Sequence, residues 1–253
     1  MSDIETVVAD TDFARRLHYW LRYQVYCLET GFEKASRYPD RLERDEFDCR
    51  SKHFLMRDMH SDVWFAAARL VLPSDRTLPV ERHCGVPRNI ISSVKNIPYE
   101  QTAEFSRLLI TKKGWPSIEN IGLHHPNSEN QRFVPRHFKI RKMVALKNLI
   151  RSMAAYCCEH KIPQWVFFAT PALARILRRL GIKLSKIGGA SQHRGVRFPY
   201  VAEVEQIYDT LTLSTEHERS KYQISHPYRL FSELHNTKYP SLLEEPFVER
   251  FGT

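Results

Sequence analysis

Four carboxylates fall within six residues in Leu42-Glu43-Arg44-Asp45-Glu46-Phe47-Asp48-Cys49, spaced Glu-x-Asp-Glu-x-Asp. Like charges at this density repel, so the stretch needs cationic partners or full solvation. Two arginines in apolar runs stand out as partners. Arg69 lies in Val63-Trp64-Phe65-Ala66-Ala67-Ala68-Arg69-Leu70-Val71-Leu72, and Arg107 in Ala103-Glu104-Phe105-Ser106-Arg107-Leu108-Leu109-Ile110. Carboxylates held this way can orient an amine or a water, or take a proton from one. Without such partners the same residues are a solvated acidic turn.

The chemistry needs elements to hold it. Residues 11 to 29 read as a helix capped by Thr11 or Asp12, with Phe13, Leu17, Trp20, Leu21, Val25 and Leu28 at helical spacing and Gly31 as a stop. Arg22 sits on it. A polar connection, Glu33 to Arg44, contains the turn signal Tyr38-Pro39-Asp40. Lys52 to Arg57 and Val63 to Leu72 read as an antiparallel hairpin turned at Met59-His60-Ser61-Asp62. Residues 73 to 100 hold four prolines and little periodicity, and are expected to be an irregular excursion. Thr102 to Thr111 is a third strand, carrying Glu104 and Arg107, and 112 to 131 a polar loop.

Residues 136 to 160 carry a strong helical pattern from Ile140 to Cys157, preceded and entered by Arg132, Arg136, His137, Lys139, Arg141 and Lys142. Cations are unfavourable at a helix N-terminus unless an anion binds there too, and a phosphate is the obvious one. Gln164 to Ala169 is a buried strand. Thr170-Pro171 caps and opens a helix that ends at Gly181. Gly195 to Glu205 is a strand whose Pro199 argues for an edge or bulge. A short helix over Tyr228 to His235 and a mobile tail follow. This order predicts a mixed sheet, with an antiparallel front half followed by β-α-β-α-β.

The 253 residues are 42% hydrophobic and 26% charged, enough for one large domain with extensions. A net charge of +9 favours an acidic partner. No apolar run is long enough to span a bilayer. The polar start Met1-Ser2-Asp3-Ile4-Glu5 lacks the features of a signal peptide, so the expected location is the cytoplasm. The five cysteines form no C-x-x-C pair and support neither a disulfide framework nor a zinc site.

Taken in order, Arg22, Gly31-Phe32, Glu43-x-Asp45-x-x-Asp48, Arg69-Leu70 and Glu104-x-x-Arg107 resemble the signature of the acyl-homoserine-lactone (autoinducer) synthases, a branch of the GNAT N-acyltransferases. Phe32 stands where that family more often has tryptophan. Arg22 to Cys27, Tyr38 to Asp48 and Arg69-Leu70-Val71-Leu72-Pro73 look still more like the PEP-CTERM/exosortase-system-associated acyltransferases, near the long-chain N-acyl amino acid synthases. The resemblance covers about residues 15 to 110. It implies a GNAT-like α/β fold, a twisted mixed sheet in a three-layer α-β-α arrangement, over 1–212, with 213–253 as an extension.

The resemblance also implies a reaction: an acyl group moves from a thioester to an amine. A free α-amino group has a pKa of about 8 and must lose a proton to attack. Glu43 and Glu104 are the catalytic candidates, and Arg22, Phe32, Asp45, Asp48, Arg69, Ser106 and Arg107 the substrate-binding ones. Pairing with Arg69 or Arg107 would depress the pKa of either glutamate, making each an orienting group rather than a strong base. Main-chain N–H groups near Arg107 to Leu109 could stabilise the thioester oxygen if the strand splays from its neighbour. The region before the long helix lacks the glycines with which many acetyl-CoA users approach a pyrophosphate. Arg132, Arg136, Lys139, Arg141 and Lys142 suit the single phosphate and acidic surface of an acyl carrier protein. No bound cofactor or metal is expected, only acyl-carrier-protein thioester or acyl-CoA as co-substrate. A homoserine-lactone product would require S-adenosylmethionine. A catalytically silent acyl-chain binder, or a nucleic-acid-binding regulator suggested by charge alone, are the readings of another class.

Overall fold

The computed structural model describes residues 4–115, 142–219 and 227–238. Strands β1 (Ile4–Val8), β2 (Ser51–Asp58), β3 (Val63–Val71), β4 (Thr102–Trp115), β5 (Gln164–Ala169), β6 (Ser185–Lys186), β7 (Ser191–Gln192), β8 (Val196–Glu203) and β9 (Arg229–Leu230) build one mixed sheet. Its order is β6-β8-β5-β4-β3-β2-β1-β9, with β7 pairing β8 to one side. Neighbours from β1 to β4 run antiparallel, and β4 meets β5 in parallel. That parallel pairing is short. It covers Thr102↔Gln164, Ala103↔Trp165 and Glu104↔Val166, and beyond Glu104 the two strands separate.

Helix α1 (Asp12–Tyr23) starts where Thr11 Oγ1 accepts the Ala14 amide at 3.2 Å. The expected single helix over 11 to 29 instead changes hydrogen-bonding pattern at Gln24. Gln24–Glu29 is π-helical, and the Thr30 amide donates to the Val25 carbonyl five residues back. Such turns are rare and concentrate at functional sites. The hairpin β2–β3, strand β5 and helix α5 (Pro171–Arg179) follow the sequence pattern. Thr170 caps α5 by accepting the Leu173 amide at 3.2 Å.

Four regions depart from expectation. Ile4–Val8 is a strand on β2, with no turn residues to announce it. The excursion at 73–100 contains α2 (Pro79–Cys84) and α3 (Arg88–Ser93), each six residues and too short to show periodicity. Gly85, at φ 62°, closes α2 in a conformation that glycine adopts without strain. Helix α6 (Val204–Arg219) follows β8 with no intervening loop and runs through the expected boundary at 212/213. Finally β9 pairs in parallel with β1, and α7 (Phe231–Lys238) begins with Phe231 buried against Trp64. The described part of the long helix is α4 (Lys142–Glu159).

The two faces of the sheet differ. Phe54, Phe65, Ala68, Leu70, Phe105, Trp165 and Phe167 form a continuous core with Leu149 and Met153 of α4, Leu177 of α5 and Ile207 of α6. On the other face the apolar side chains divide. One group joins Ala67 and Leu109 to Leu17 and Leu21 of α1, and another joins Val71 and Val166 to Leu78, Val80 and Ile91. Along β3, Arg69 stands between Ala67 of the first group and Val71 of the second.

Candidate active site

Arg69 enters the gap because strand side chains alternate, which gives positions 67, 69 and 71 a common face. The same rule would set Glu104 and Arg107 on opposite faces. A bulge prevents this. Ala67 pairs Leu109 and Arg69 pairs Ser106, so β4 carries one extra residue, and Arg107 has φ 53°. Glu104 and Ser106 before the bulge, and Arg107 and Leu109 after it, therefore share the face that packs on α1 and the acidic loop.

Three carboxylates there meet three guanidinium groups. Arg22 Nε donates to Glu43 Oε2 in a short contact, and its Nη1 lies 2.6 Å from Asp48 Oδ1. Arg69 Nη1 reaches Asp45 Oδ1 at 2.5 Å and Asp48 Oδ1 at 2.9 Å, while its Nε donates to Ser106 Oγ at 3.1 Å. Arg107 Nη2 lies 2.7 Å from Asp45 Oδ2 and 3.2 Å from Glu43 Oε1. The loop also folds on itself: the Asp45 amide donates to Asp48 Oδ2 and the Phe47 amide to Asp45 Oδ1. Glu46, the fourth carboxylate, turns outward to Arg82.

Burial sorts the members. Arg22, Glu43 and Arg69 side chains are wholly covered and Asp48 nearly so, whereas Asp45 is 23% exposed and Arg107 10%. Burial works against the Asp48 charge, but Arg22 and Arg69 hold its pKa well below the usual carboxylate range. Glu43 is likewise buried and held low by Arg22 and Arg107, and Asp45 by Arg69 first. Burial opposes the Arg22 charge too, yet Asp48 and Glu43 raise its pKa. His53 Nε2 lies 3.0 Å from Asp48, and His18 Nε2 lies 3.1 Å from the Ala68 carbonyl. Burial lowers both imidazoles and keeps them neutral.

Glu104 differs from the expectation of an arginine-paired, depressed carboxylate. Its Oε2 accepts the Val80 amide at 2.7 Å, at the start of α2, and no arginine is within ion-pair distance among the described residues. Burial dominates and raises its pKa to about 8, while Arg69 and Arg107 act only as weaker opposing influences. Its Oε1 is buried without a hydrogen-bond partner among the described residues. Glu104 is also the last residue of β4 paired to β5, at the vertex where the strands part.

Of the other expected residues, Phe32 lies in the loop after Gly31 and is 44% exposed. Lys142 opens the described part of α4 and is exposed; Arg132, Arg136, Lys139 and Arg141 lie outside the described residues. Two further features of the site lie outside the residues expected from the sequence. One is Tyr26 on the π-helical turn, whose hydroxyl donates to the Leu108 carbonyl at 3.1 Å and whose ring has Arg107 and Arg194 each 5.9 Å away. The other is the β7–β8 hairpin, Ser191-Gln192-His193-Arg194-Gly195-Val196-Arg197. Its three cationic or imidazole residues around a glycine were the available signal. Arg194 and Gly195 both take positive φ at the turn, and Arg194 pairs with Glu33 of the loop beyond Phe32.

Charges held in a buried, balanced set beside two strands that part can bind an extended chain along the open strand edges and present a polar group at its end. That architecture has known counterparts. Residues 21–117 match the acetyltransferase (GNAT) domain family.

The chain has the GNAT fold.

The crystal structure of the acyl-homoserine-lactone synthase LasI aligns with TM-score 0.57 at 14% identity, covering 81% of this chain and 91% of LasI. The CoA-dependent acyl-homoserine-lactone synthase BjaI, solved with SAM and isopentyl-CoA, gives 0.60 at 11%, covering 91% and 93%. FeeM, an N-acyl amino acid synthase from uncultured soil microbes, gives 0.54 at 11%, covering 85% and 100%. A search of curated proteins finds no sequence match. The domain match supports an acyltransferase, and these neighbours share its fold.

A second basic surface lies at the sheet edge. A cavity of about 450 Å³ is lined by Arg175, Arg178, Arg179, Lys186, Phe198 and Tyr200. Arg178 lies over Tyr200 at 5.4 Å and Lys186 over Phe198 at 3.9 Å.

Proposed function

We propose that the protein transfers a long-chain fatty acyl group from a carrier thioester to the amine of an amino acid or a related small molecule. One observation carries this reading. Of a charge-balanced cluster at the parting of β4 and β5, Asp45 and Arg107 are the members most open to solvent. A buried ion-pair set serving the fold alone needs no exposed carboxylate at a strand fork.

In this reading the inner members, Arg22, Glu43, Asp48 and Arg69, hold the acidic loop against the sheet. Asp45 receives the amine of the acceptor, with Arg107 and Ser106 beside it and Phe32 at the rim. The amine must lose a proton as it attacks the thioester carbon. Glu104 has a proton affinity matched to that of an amine of pKa about 8 and is the base, reached through a water. Glu43, doubly clamped and ionised, orients rather than accepts. The attack forms the new C–N bond and places negative charge on the carbonyl oxygen. In this reading main-chain N–H groups of β4 beyond Glu104, where the pairing to β5 has ended, supply the donors for it. Collapse breaks the C–S bond, and the thiolate leaves on the carrier, where it takes up a proton.

The net charge of +9, Lys142 with the basic residues before it, and the cavity on α5 support an acidic, phosphate-bearing donor such as an acyl carrier protein, with acyl-CoA as the other donor of the same chemistry. The resemblance of Arg22 to Cys27, Tyr38 to Asp48 and Arg69 to Pro73 to the PEP-CTERM/exosortase-system-associated acyltransferases favours that group as the setting. No helix among the described residues is long and apolar enough to cross a membrane, and a cytoplasmic enzyme is the reading we adopt. A second product remains in view: with S-adenosylmethionine as acceptor, the BjaI and LasI likeness favours an acyl-homoserine lactone. Incubation with long-chain acyl carrier protein, an amino-acid mixture and, separately, S-adenosylmethionine, read by mass spectrometry, tests both. N-acyl amino acids are expected. No acyl transfer to any amine removes the reading.

A further inference from the structure

The β7–β8 hairpin stands beside the exposed end of the cluster and is anchored on both sides. Ser191 Oγ donates to the His83 carbonyl of α2 at 2.8 Å, and Arg194 pairs with Glu33. His83 and His193 rings lie 4.2 Å apart, and Phe168 of β5 contacts His193 at 5.3 Å and the Arg197 guanidinium at 5.7 Å. The hairpin thus forms a wall linked to the exposed end of the cluster through the Tyr26 ring, which has Arg107 and Arg194 each 5.9 Å from its centroid.

The cations along this wall are not equivalent. Arg107 is neutralised by Glu43 and Asp45, and Arg194 by Glu33. Arg197 is half-buried, has no carboxylate partner among the described residues, and its Nε is buried without a hydrogen-bond acceptor. His193 Nε2 is in the same condition. Native proteins rarely leave such donors unpaired, because each costs its full desolvation. Burial first, then His83 and the arginines, pushes His193 down to about 4, so it is neutral near pH 7 and carries one ring N–H, which sits on Nε2 in one of its two tautomers. A guanidinium flanked by a neutral imidazole donor is the chemistry of a carboxylate receptor.

We propose that Arg197, with His193 beside it, receives the free carboxylate of an amino-acid acceptor whose amine is held at Asp45. This rests on the acyltransferase reading above and deepens it: the site reads both ends of a zwitterion, amine at the cluster and carboxylate at the hairpin. Amines lacking a carboxylate are then poor acceptors. The phosphate of the donor is the other anion that Arg197 could hold, and the test separates the two.

The wild type and Arg197→Gln are assayed with long-chain acyl carrier protein against two acceptor sets, the amino-acid mixture and the same amino acids as carboxamides. The wild type is expected to prefer the free acids by about ten- to a hundred-fold in kcat/KM, the loss that follows from removing a charge-assisted pair. In Arg197→Gln the preference collapses toward one through a raised acceptor KM, with the donor KM unchanged, and Arg197→Lys recovers part of it. A raised donor KM with the acceptor preference intact assigns Arg197 to the donor phosphate and overturns the proposal, as does a wild type indifferent to the carboxamide. Saturation-transfer NMR on the amino-acid mixture, without donor, reads the subsite independently of turnover. Bound amino acids seen with wild type and lost with Arg197→Gln support it, even if the wild type acylates nothing and the acyltransferase reading falls. No bound amino acid with wild type overturns it. Circular dichroism on each variant separates loss of binding from loss of fold.

Discussion

The face of the sheet under α4 and the face under α1 are built on opposite terms. Under α4, Phe54, Leu70, Phe105 and Trp165 close a continuous apolar core, each such side chain contributing about 1.5–3 kcal/mol by burial. Under α1 that core is interrupted, and six charged side chains fill the gap. Buried ion pairs seldom stabilise more than apolar residues of the same volume, but removing one partner strands the other. The contrast teaches that one face supplies stability and the other fixes charges in place at a cost in stability. Cost of that kind suits a site whose charges must already be oriented when substrate arrives.

The largest expected effect breaks the charged face. Arg69→Ala removes a wholly buried cation from both Asp45 and Asp48 and should lose about 3–5 kcal/mol in urea unfolding. Leu149→Ala on the apolar face should lose about 2–5 kcal/mol. The two differ in salt response, since only the first removes charge. An Arg69→Ala cost below about 1 kcal/mol would dissolve the comparison.

Glu104 sharpens it. Its folded pKa of about 8 exceeds the ordinary 4.5, so folding favours its protonated form. That contribution is whole below about pH 4.5 and is lost as pH rises toward 8. Glu104→Gln should therefore flatten the fall in stability between pH 5 and 8 and gain on the order of 1–4 kcal/mol over wild type at pH 8–9. Its turnover should lose the rise in kcat/KM centred near pH 8. Identical pH profiles in both proteins would remove Glu104 as the base.

Smaller effects are expected at the rim. Asp45→Asn retains an acceptor at a partly exposed position and should cost about 1–2 kcal/mol in stability. Phe32→Ala removes a side chain that is largely in solvent and should change stability by no more than about 0.5 kcal/mol, while raising the acceptor KM.

Much of the scaffold was legible in the residues. The hairpin β2–β3, β5 and the capped α5 follow from alternation, turn residues and Thr170-Pro171. Arg69 and Arg107 were legible as partners of the acidic loop because nothing else in an apolar run accounts for them, whereas Arg22 came in only through the family resemblance. The bulge at Arg107 was not: Glu104-x-x-Arg107 reads as a pair, yet only a positive φ brings both to one face, and the pairing goes to Glu43 and Asp45 instead. Glu104 departs from the arginine-paired expectation because its partner is an amide on α2, a six-residue helix without periodicity. A hairpin turn fixes the positions of Arg197 and His193, and the missing hydrogen-bond partners of Arg197 Nε and His193 Nε2 among the described residues appear only in three dimensions.

The proposed acceptor site centres on Asp45, the one carboxylate of the cluster with a substantial face in solvent. Turnover of Asp45→Asn, assayed as N-acyl amino acid by mass spectrometry at matched folded fraction, tests it most directly. A loss of at least about ten-fold, in a variant that still unfolds cooperatively, is predicted. Undiminished turnover in a folded Asp45→Asn protein would contradict the placement of the acceptor amine.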